Sequence, residues 1–101
     1  MAVMHSSPHP GEFIKETYMK PFGLSSRFLA KHLKVAPSTI NRLIKKQSSV
    51  SVDMAYRLEA VLGISAESWL MMQAHYDLWT AKQPKLKRID FEHLHDDAAY
   101  A

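Results

Sequence analysis

The sequence contains no cysteine, only three glycines and no long apolar run. The lack of cysteine excludes a disulfide framework and a thiolate metal site, and no segment approaches the ~20 apolar residues that a membrane-spanning helix needs. The amino end also lacks the charged-then-apolar pattern of a secretory signal peptide. With 47% apolar and 23% charged residues in a chain of 101, the composition predicts one globular domain with a modest core, located in the cytoplasm.

Acidic residues are missing from a long stretch of the chain. Residues 17–52 hold seven lysines and arginines and no aspartate or glutamate, so this segment carries +7 while the whole chain carries +3. The remaining residues therefore sum to −4. Such a separation of charge within one small domain favours a polyanionic partner more strongly than the net charge does.

Hydrophobic periodicity and capping residues predict a compact all-α domain of five helices. We expect these helices at about 10–20, 25–34, 37–46, 51–62 and 66–82. The chain is then divided into a flexible amino-terminal arm (1–9), a folded domain (10–83) and a carboxyl-terminal tail (84–101). Weak alternation at Ile89 and Phe91 leaves three possibilities open for the tail: a short strand, a last helical turn or a mobile segment.

The second and third predicted helices have the sequence pattern of a helix-turn-helix. Ala30 provides the small residue that is needed where the two helices cross. The apolar residues expected between them are Leu29, Leu33, Val35, Ile40 and Leu43. Lys34 occupies the turn position where a glycine with positive φ is usual, and a lysine there should cost about 1 kcal/mol.

The third predicted helix presents polar and basic side chains of the kind that bind DNA in the major groove. Hydroxyl and amide groups can bond base edges, and Arg42 can bind guanine O6 and N7 with both arms of its guanidinium. The residues predicted to contact bases are Pro37, Ser38, Thr39, Asn41 and Arg42. Those predicted to contact phosphates, which fixes position without reading sequence, are Arg27, Lys31, Lys45, Lys46, Gln47 and Ser48. An ordinary solvated surface helix is the alternative, and the turn spacing together with the acid-free segment outweighs it.

The fifth predicted helix is apolar around more of its circumference than one small core can cover. Either all of its apolar residues belong to the core, or part of them forms an interface between two copies of the chain. A dimer suits a DNA-binding protein, because two recognition helices must lie about 34 Å apart to read a palindrome. We predict a dimer interface formed by Trp69, Met72, Tyr76 and Trp79.

No catalytic motif, phosphate-binding loop or cofactor motif is present, so the sequence predicts a protein that is not an enzyme and uses no cofactor. Six histidines raise the question of a metal site. The tail places His93 and His95 among acidic residues, but no second cluster accompanies them at a recognised metal-ligand spacing. We therefore predict no metal site.

Several short motifs, taken in order, resemble the HigA-type antitoxins, which are compact members of the Xre/Cro-repressor helix-turn-helix family. The matching stretches are HPGE at 9–12, LAKHLKVAPSTINRLI at 29–44, SVDMAYRL at 51–58, Gly63, Trp69-Leu70 and Gln73. Each motif alone is weak, but together they span about residues 8–83, and Lys34 is the one departure noted. The tail beyond Pro84 matches no part of the family pattern.

The resemblance implies a homodimer that binds double-stranded DNA at a palindromic operator and represses its own operon. It also implies neutralisation of a HigB-type toxin, a small RelE-like ribonuclease. Solitary relatives without a toxin gene exist, so a transcriptional regulator with no toxin partner is an alternative. The residues alone also leave a third possible function open, a protein-binding module whose basic segment contacts an acidic protein rather than DNA.

Overall fold

The computed structural model describes residues 7–99, which form six helices and no strand. The first helix, α1, is continuous through Pro10–Ile14, a π-helical segment Lys15–Met19 and a last turn Lys20–Phe22. The others are α2 (Ser26–Leu33), α3 (Pro37–Ile44), α4 (Val52–Leu62), α5 (Ala66–Thr80) and α6 (Phe91–Ala99). The all-α class is confirmed, and the sixth helix lies in the segment that we expected to be a tail.

Local capping explains where most of the helices begin and end. Ser25, Ser51 and Ser65 each accept a hydrogen bond from the backbone N–H three residues later, at 3.0 to 3.1 Å. These bonds satisfy donors that the first helical turn leaves free. Gly23 and Gly63 follow α1 and α4 with φ of 65° and 87°, the left-handed conformation that ends a helix.

The amino-terminal boundary differs from the expected one. Residues 1–6 of the predicted arm lie outside the described residues. His9, which we assigned to the same arm, is buried, and its Nδ1 accepts a 2.9 Å hydrogen bond from the backbone N–H of Gly11. Because its imidazole caps α1, His9 belongs to the folded domain.

The core lies where α1, α4 and α5 enclose the α2–α3 pair. Trp69 of α5 is fully buried and packs edge-on against Phe13 of α1, with 5.8 Å between ring centroids. The largest buried aliphatic residues around it are Ile14, Leu29, Leu33, Ile40, Leu43 and Leu58. Four of these lie in α2 and α3, so the same side chains build the core and fix the angle between the two helices.

The turn between α2 and α3 is left-handed at its first residue. Lys34 has φ 60° and ψ 46°, and the N–H of Val35 donates to the carbonyl of Ala30 at 3.0 Å. This is the conformation in which glycine is usual. The chain therefore makes the expected turn in spite of its lysine.

We expect Lys34→Gly to raise the free energy of unfolding by about 0.5 to 1 kcal/mol, because glycine removes the steric cost of positive φ. Urea denaturation without DNA measures this change. Lys34→Ala is the matched control, since alanine keeps a Cβ and with it the cost. Equal stability of the glycine and alanine variants would contradict the assigned turn.

Beyond α5 the chain leaves the body of the protein. Residues 81–90 have no regular secondary structure and are exposed, and α6 follows. The molecule consequently measures 62 Å along its longest axis but only 29 and 22 Å along the others. Within residues 7–99, no helix combines the length and the apolar character that crossing a membrane requires.

Candidate nucleic-acid interface

The outer face of α3 carries the residues that we predicted to contact bases. Pro37, Ser38, Asn41 and Arg42 are exposed, and Thr39 is half-buried. Ser38 and Arg42 are four residues apart and therefore lie on one side of the helix. The opposite side is buried through Ile40 and Leu43, so the orientation of this face is fixed by the core.

The first turn of α3 has no side-chain cap. Its N-cap residue is Ala36, whose side chain has no hydrogen-bonding group, and Pro37 has no backbone N–H to satisfy. The N–H of Thr39 bonds back to the Ala36 carbonyl at 2.9 Å. The first turn thus presents a positive dipole end beside the hydroxyl of Ser38, an arrangement that favours anionic partners.

The residues predicted to contact phosphates flank α3 on both sides. Arg27 and Lys31 are exposed on α2, while Lys45, Lys46 and Gln47 are exposed after α3 and Ser48 is half-buried. Lys46 has φ 63° and its Nζ lies 4.0 Å from a carboxylate oxygen of Glu12. Part of its charge is therefore balanced within the chain, whereas Lys45 is in no such pair among the described residues.

Arg57 of α4 holds the helix-turn-helix in place, a role that we did not predict. Its Nη1 donates to the carbonyls of Leu33 and Lys34 at 2.9 and 3.2 Å, and its Nε donates to Asp53 at 2.7 Å. The first two carbonyls belong to the end of α2, where no intrahelical donor is left. The SVDMAYRL stretch at 51–58 contains this residue, but the sequence does not reveal that α4 passes beside the turn between α2 and α3.

Two buried polar side chains hold the connector between α3 and α4. Gln73 of α5 accepts a 2.9 Å hydrogen bond from the Val50 N–H, and its amide donates to Asp77 at 2.9 Å. His9 packs edge-on against Tyr76, 4.8 Å between ring centroids, and its free ring nitrogen faces the Ser48 carbonyl. The position of Gln47 and Ser48 therefore depends on α1 and α5 as well as on α3.

Burial lowers the pKa of His9 below its ordinary value of 6.5. Loss of hydration is the largest cause, and the Lys46 ammonium acts in the same direction. The Ser48 carbonyl and the carboxylates of Asp77 and Glu12 oppose it. A neutral ring also fits the geometry, because the Nδ1 that caps α1 must accept a hydrogen bond.

We expect the free energy of unfolding to fall as the pH drops below 6.5. The unfolded chain takes up a proton at the ordinary pKa of His9, whereas the folded chain does so only at lower pH, so protonation favours unfolding in this interval. Urea denaturation at pH 7.5 and at pH 5.5 should show a smaller difference for His9→Gln than for the unchanged protein. His75→Gln is the matched control for the substitution, since it replaces an exposed histidine that caps no helix. An unaltered pH dependence in His9→Gln would contradict the assignment.

The structure corrects the predicted dimer interface at Trp69. This side chain is 0% exposed and packs within the core, so it has no surface to offer a second chain. Met72 and Tyr76 are half-buried inside the same chain, and only Trp79, 53% exposed, lies mainly on the surface. Trp69 and Tyr76 face inward because Phe13 and His9 pack against them.

Another side of α5 carries the exposed apolar surface. Met71 is exposed and Leu70 half-buried, and they border a groove that α4 completes with Val52 and Tyr56. The volume of this α4–α5 groove is 360 Å³. We missed Val52 and Tyr56, although their spacing of four residues on α4 is the signal that could have revealed an outward apolar pair.

The tail contains the two histidines, His93 and His95, that had raised the question of a metal site. His93 lies 3.6 Å from Asp90, three residues before it. No group of three histidine or carboxylate side chains in residues 7–99 is arranged to hold a metal ion.

Comparison with known sequences identifies relatives of this architecture. The helix-turn-helix family HTH_3 matches residues 16–69, more than half of the chain. Virulence-associated protein I of Dichelobacter nodosus is 49% identical over 77 residues, 76% of this chain and 71% of that protein. An HTH-type transcriptional regulator of Escherichia coli is 32% identical over 90% and 92% of the two chains. Antitoxin HigA-1 of Vibrio cholerae is 33% identical over 71% of this chain and 68% of its own.

Solved structures share the fold at similar identity. The antitoxin GraA superposes with a TM-score of 0.72 at 36% identity and covers 94% of this chain and 91% of its own, so the match extends into the tail. The Pseudomonas aeruginosa antitoxin HigA, solved with the higBA promoter, has a TM-score of 0.69 at 36% identity over 73% and 80% of the two chains. These are families of regulators and antitoxins and not of enzymes. The chain belongs to the Xre-type helix-turn-helix family and, within it, is a relative of the HigA antitoxins.

Proposed function

We propose that the protein is a homodimeric antitoxin that binds a palindromic operator, represses its own operon and neutralises a HigB-type ribonuclease. The observation that carries the DNA-binding part is the outer face of α3, where Ser38, Asn41 and Arg42 are exposed in the acid-free segment. This role places the protein in the cytoplasm with the DNA. The HigA relative solved with its promoter supports the same proposal.

We expect the first two turns of α3 to contact the base edges. Arg42 can bind guanine with both arms of its guanidinium, and Asn41 can pair with adenine in the same way. Ser38 and Thr39 can donate to or accept from base edges, and the methyl group of Thr39 can contact thymine. Pro37 begins the helix and would contact the adjacent base or sugar by packing.

We expect the basic and polar residues around α3 to contact the phosphates. The proposed set is Arg27, Lys31, Lys45, Lys46, Gln47 and Ser48. Their contacts release counterions and make affinity depend steeply on salt, without distinguishing sequences. Because Lys46 lies beside Glu12, we expect Lys45 to contribute the larger share of this salt dependence.

Arg42→Ala and Lys45→Ala should have different effects on binding to duplex DNA from the region upstream of the gene. We expect Arg42→Ala to reduce the preference for this duplex over scrambled DNA by roughly tenfold or more. Lys45→Ala should weaken binding to both duplexes alike and lower the slope of log affinity against log salt by about 1. Fluorescence anisotropy across a salt series measures both quantities. Equal affinity of the unchanged protein for scrambled DNA would contradict base reading by α3.

Homodimer formation follows from the way such proteins read a palindrome, because each copy supplies one recognition helix. With Trp69 buried, the surface that we propose for the dimer is Trp79 together with the α4–α5 groove. Light scattering at micromolar concentration measures the mass, and a monomer under these conditions would contradict the proposal.

The antitoxin role is supported by the HigA and GraA relatives. Co-expression tests it: the product of the adjacent gene should arrest growth alone and lose this effect in the presence of the protein. A second candidate is a transcriptional regulator without a toxin partner, and the description of the Escherichia coli relative as an HTH-type transcriptional regulator supports the regulator part of it. Persistent toxicity, or an adjacent gene that is harmless, would favour that candidate.

A further inference from the structure

The tail beyond α5 carries apolar side chains that nothing in its own chain covers. Leu86 is 81% and Phe91 75% exposed, and Ile89 and Leu94 are also exposed. Phe91 and Leu94 are three residues apart on α6 and therefore share one face of that helix. An apolar face of this kind is typical of a segment that packs against a partner.

The α4–α5 groove is an apolar surface that could cover the exposed apolar side chains of the tail. Val52, Tyr56 and Met71 border it and are each more than half exposed. Ala66 and Ala74 form part of its lining, and their small side chains leave room for larger ones. The groove can therefore accept aliphatic or aromatic side chains from outside.

Charges of opposite sign lie at the start of the tail and beside the groove. The exposed charged residues of segment 85–94 are three cations followed by two carboxylates: Lys85, Lys87, Arg88, Asp90 and Glu92. Glu67 lies at the edge of the groove and forms no ion pair with any side chain that the structure describes. An apolar segment preceded by cations thus matches an apolar groove bordered by a carboxylate.

We propose that residues 85–94 of one chain lie in the α4–α5 groove of a second copy, and that the two chains exchange their tails. This inference rests on the proposed homodimer. Residues 81–90 can span about 30 Å when extended, enough to reach across a two-fold axis beside α5. Since each copy has one groove and one tail, a two-fold arrangement fills both grooves at once.

The area of contact favours a second copy as the occupant. A stable dimer buries about 800 Å² on each partner, and a groove bordered by a few side chains is small beside that figure. Adding ten tail residues from each chain brings the interface towards the required area. Among the described residues, none of the tail lines the groove of its own chain.

Cross-linking tests the exchange directly, because the natural chain contains no cysteine. Met71→Cys and Ile89→Cys chains are prepared separately, refolded together and treated with a short bis-maleimide. We expect a covalent dimer that joins one chain of each kind. A Lys31→Cys chain, with its cysteine on α2, replaces Met71→Cys as the control and should give little product. A chain carrying both Met71→Cys and Ile89→Cys that cross-links only to itself would overturn the proposal.

Substitution in the tail provides a second, independent measurement. Ile89→Asp changes an exposed residue and should leave folding intact, but it should weaken dimerisation about 100-fold, because an apolar side chain is lost from each of two grooves. Gln83→Asp adds the same charge to an exposed position outside residues 85–94 and should have little effect. A stable dimer of Ile89→Asp would overturn the exchange while leaving the homodimer in place. A monomeric natural protein would overturn both.

Discussion

Gly11→Ala should lower the free energy of unfolding by about 3 kcal/mol, through overpacking of two helix backbones. A Cβ at this position would overlap the carbonyl oxygen of Leu43 and lie 2.9 Å from Cα of Ile44. Backbone atoms cannot rotate away as a flexible side chain can, so α1 must separate from the end of α3. A loss of this size corresponds to a fall in Tm of about 10–20 °C for a domain of this length. Thermal unfolding followed by circular dichroism measures it.

Gly63→Ala is the matched control for Gly11→Ala. Gly63 has φ 87°, and no heavy atom lies within 4 Å of the position that a Cβ would take there. Alanine at this position therefore meets only the cost of positive φ, about 1 kcal/mol. The same substitution therefore measures the effect of a steric overlap at Gly11 and the effect of positive φ at Gly63. If Gly11→Ala were no more destabilising than Gly63→Ala, the close approach of α1 to α3 would be wrong.

Arg57→Met should lower the free energy of unfolding by about 2 to 3 kcal/mol and also weaken DNA binding. Methionine keeps most of the aliphatic packing but leaves the carbonyls of Leu33 and Lys34 without the donors that now bind them, and bonds from a charged donor contribute about this much. The turn between α2 and α3 would then be free to shift. Urea denaturation and anisotropy on the same preparation measure the two effects.

Asp53→Ala distinguishes the two contacts of Arg57, because it removes the surface ion pair and leaves the hydrogen bonds to the turn. Asp53 is exposed and contacts Arg57 within one helix, a type of pair that contributes less than about 1 kcal/mol. We expect this variant to retain nearly full DNA affinity. Comparable losses in Arg57→Met and Asp53→Ala would mean that the ion pair, and not the contact with the turn, is what matters.

Local chemistry explains why most of the helices could be predicted from the sequence. Ser25, Ser51 and Ser65 each begin a helix by accepting a hydrogen bond from the backbone only three residues away. Gly23 and Gly63 each end a helix through their own positive φ. Such signals do not depend on how the helices pack. The helix-turn-helix was predictable for the same reason, since its apolar spacing lies within sixteen consecutive residues.

Contacts between distant segments explain what the sequence did not reveal. Gly11 looks like an ordinary first-turn residue until α3 is placed against it, and Arg57 looks like a solvated arginine until the end of α2 lies beside it. Trp69 and Met71 are both apolar residues of α5. The way that α1 and α4 pack against α5 decides that Trp69 is buried and Met71 exposed. The periodicity of α5 could not settle this choice, because apolar residues surround the helix.

The tail shows a different limit of sequence reasoning. The weak alternation at Ile89 and Phe91 left a short strand, a last helical turn and a mobile segment open, and Phe91 begins α6. A segment with few contacts to its own domain takes its conformation partly from whatever covers it. In the exchange that we propose, the surface that covers this segment belongs to a second copy, and the pattern of the segment alone does not identify that surface.

Selection of binding sites from random duplex DNA tests the central claim most directly, because it requires no knowledge of the operator. We expect the intact protein to enrich a palindrome whose half-sites are centred about one helical turn apart, roughly 34 Å. Arg42→Ala should lose enrichment at particular base pairs within each half-site while still retaining DNA. Retention of DNA with no enriched sequence, or an Arg42→Ala selection identical to that of the unchanged protein, would contradict base reading by α3.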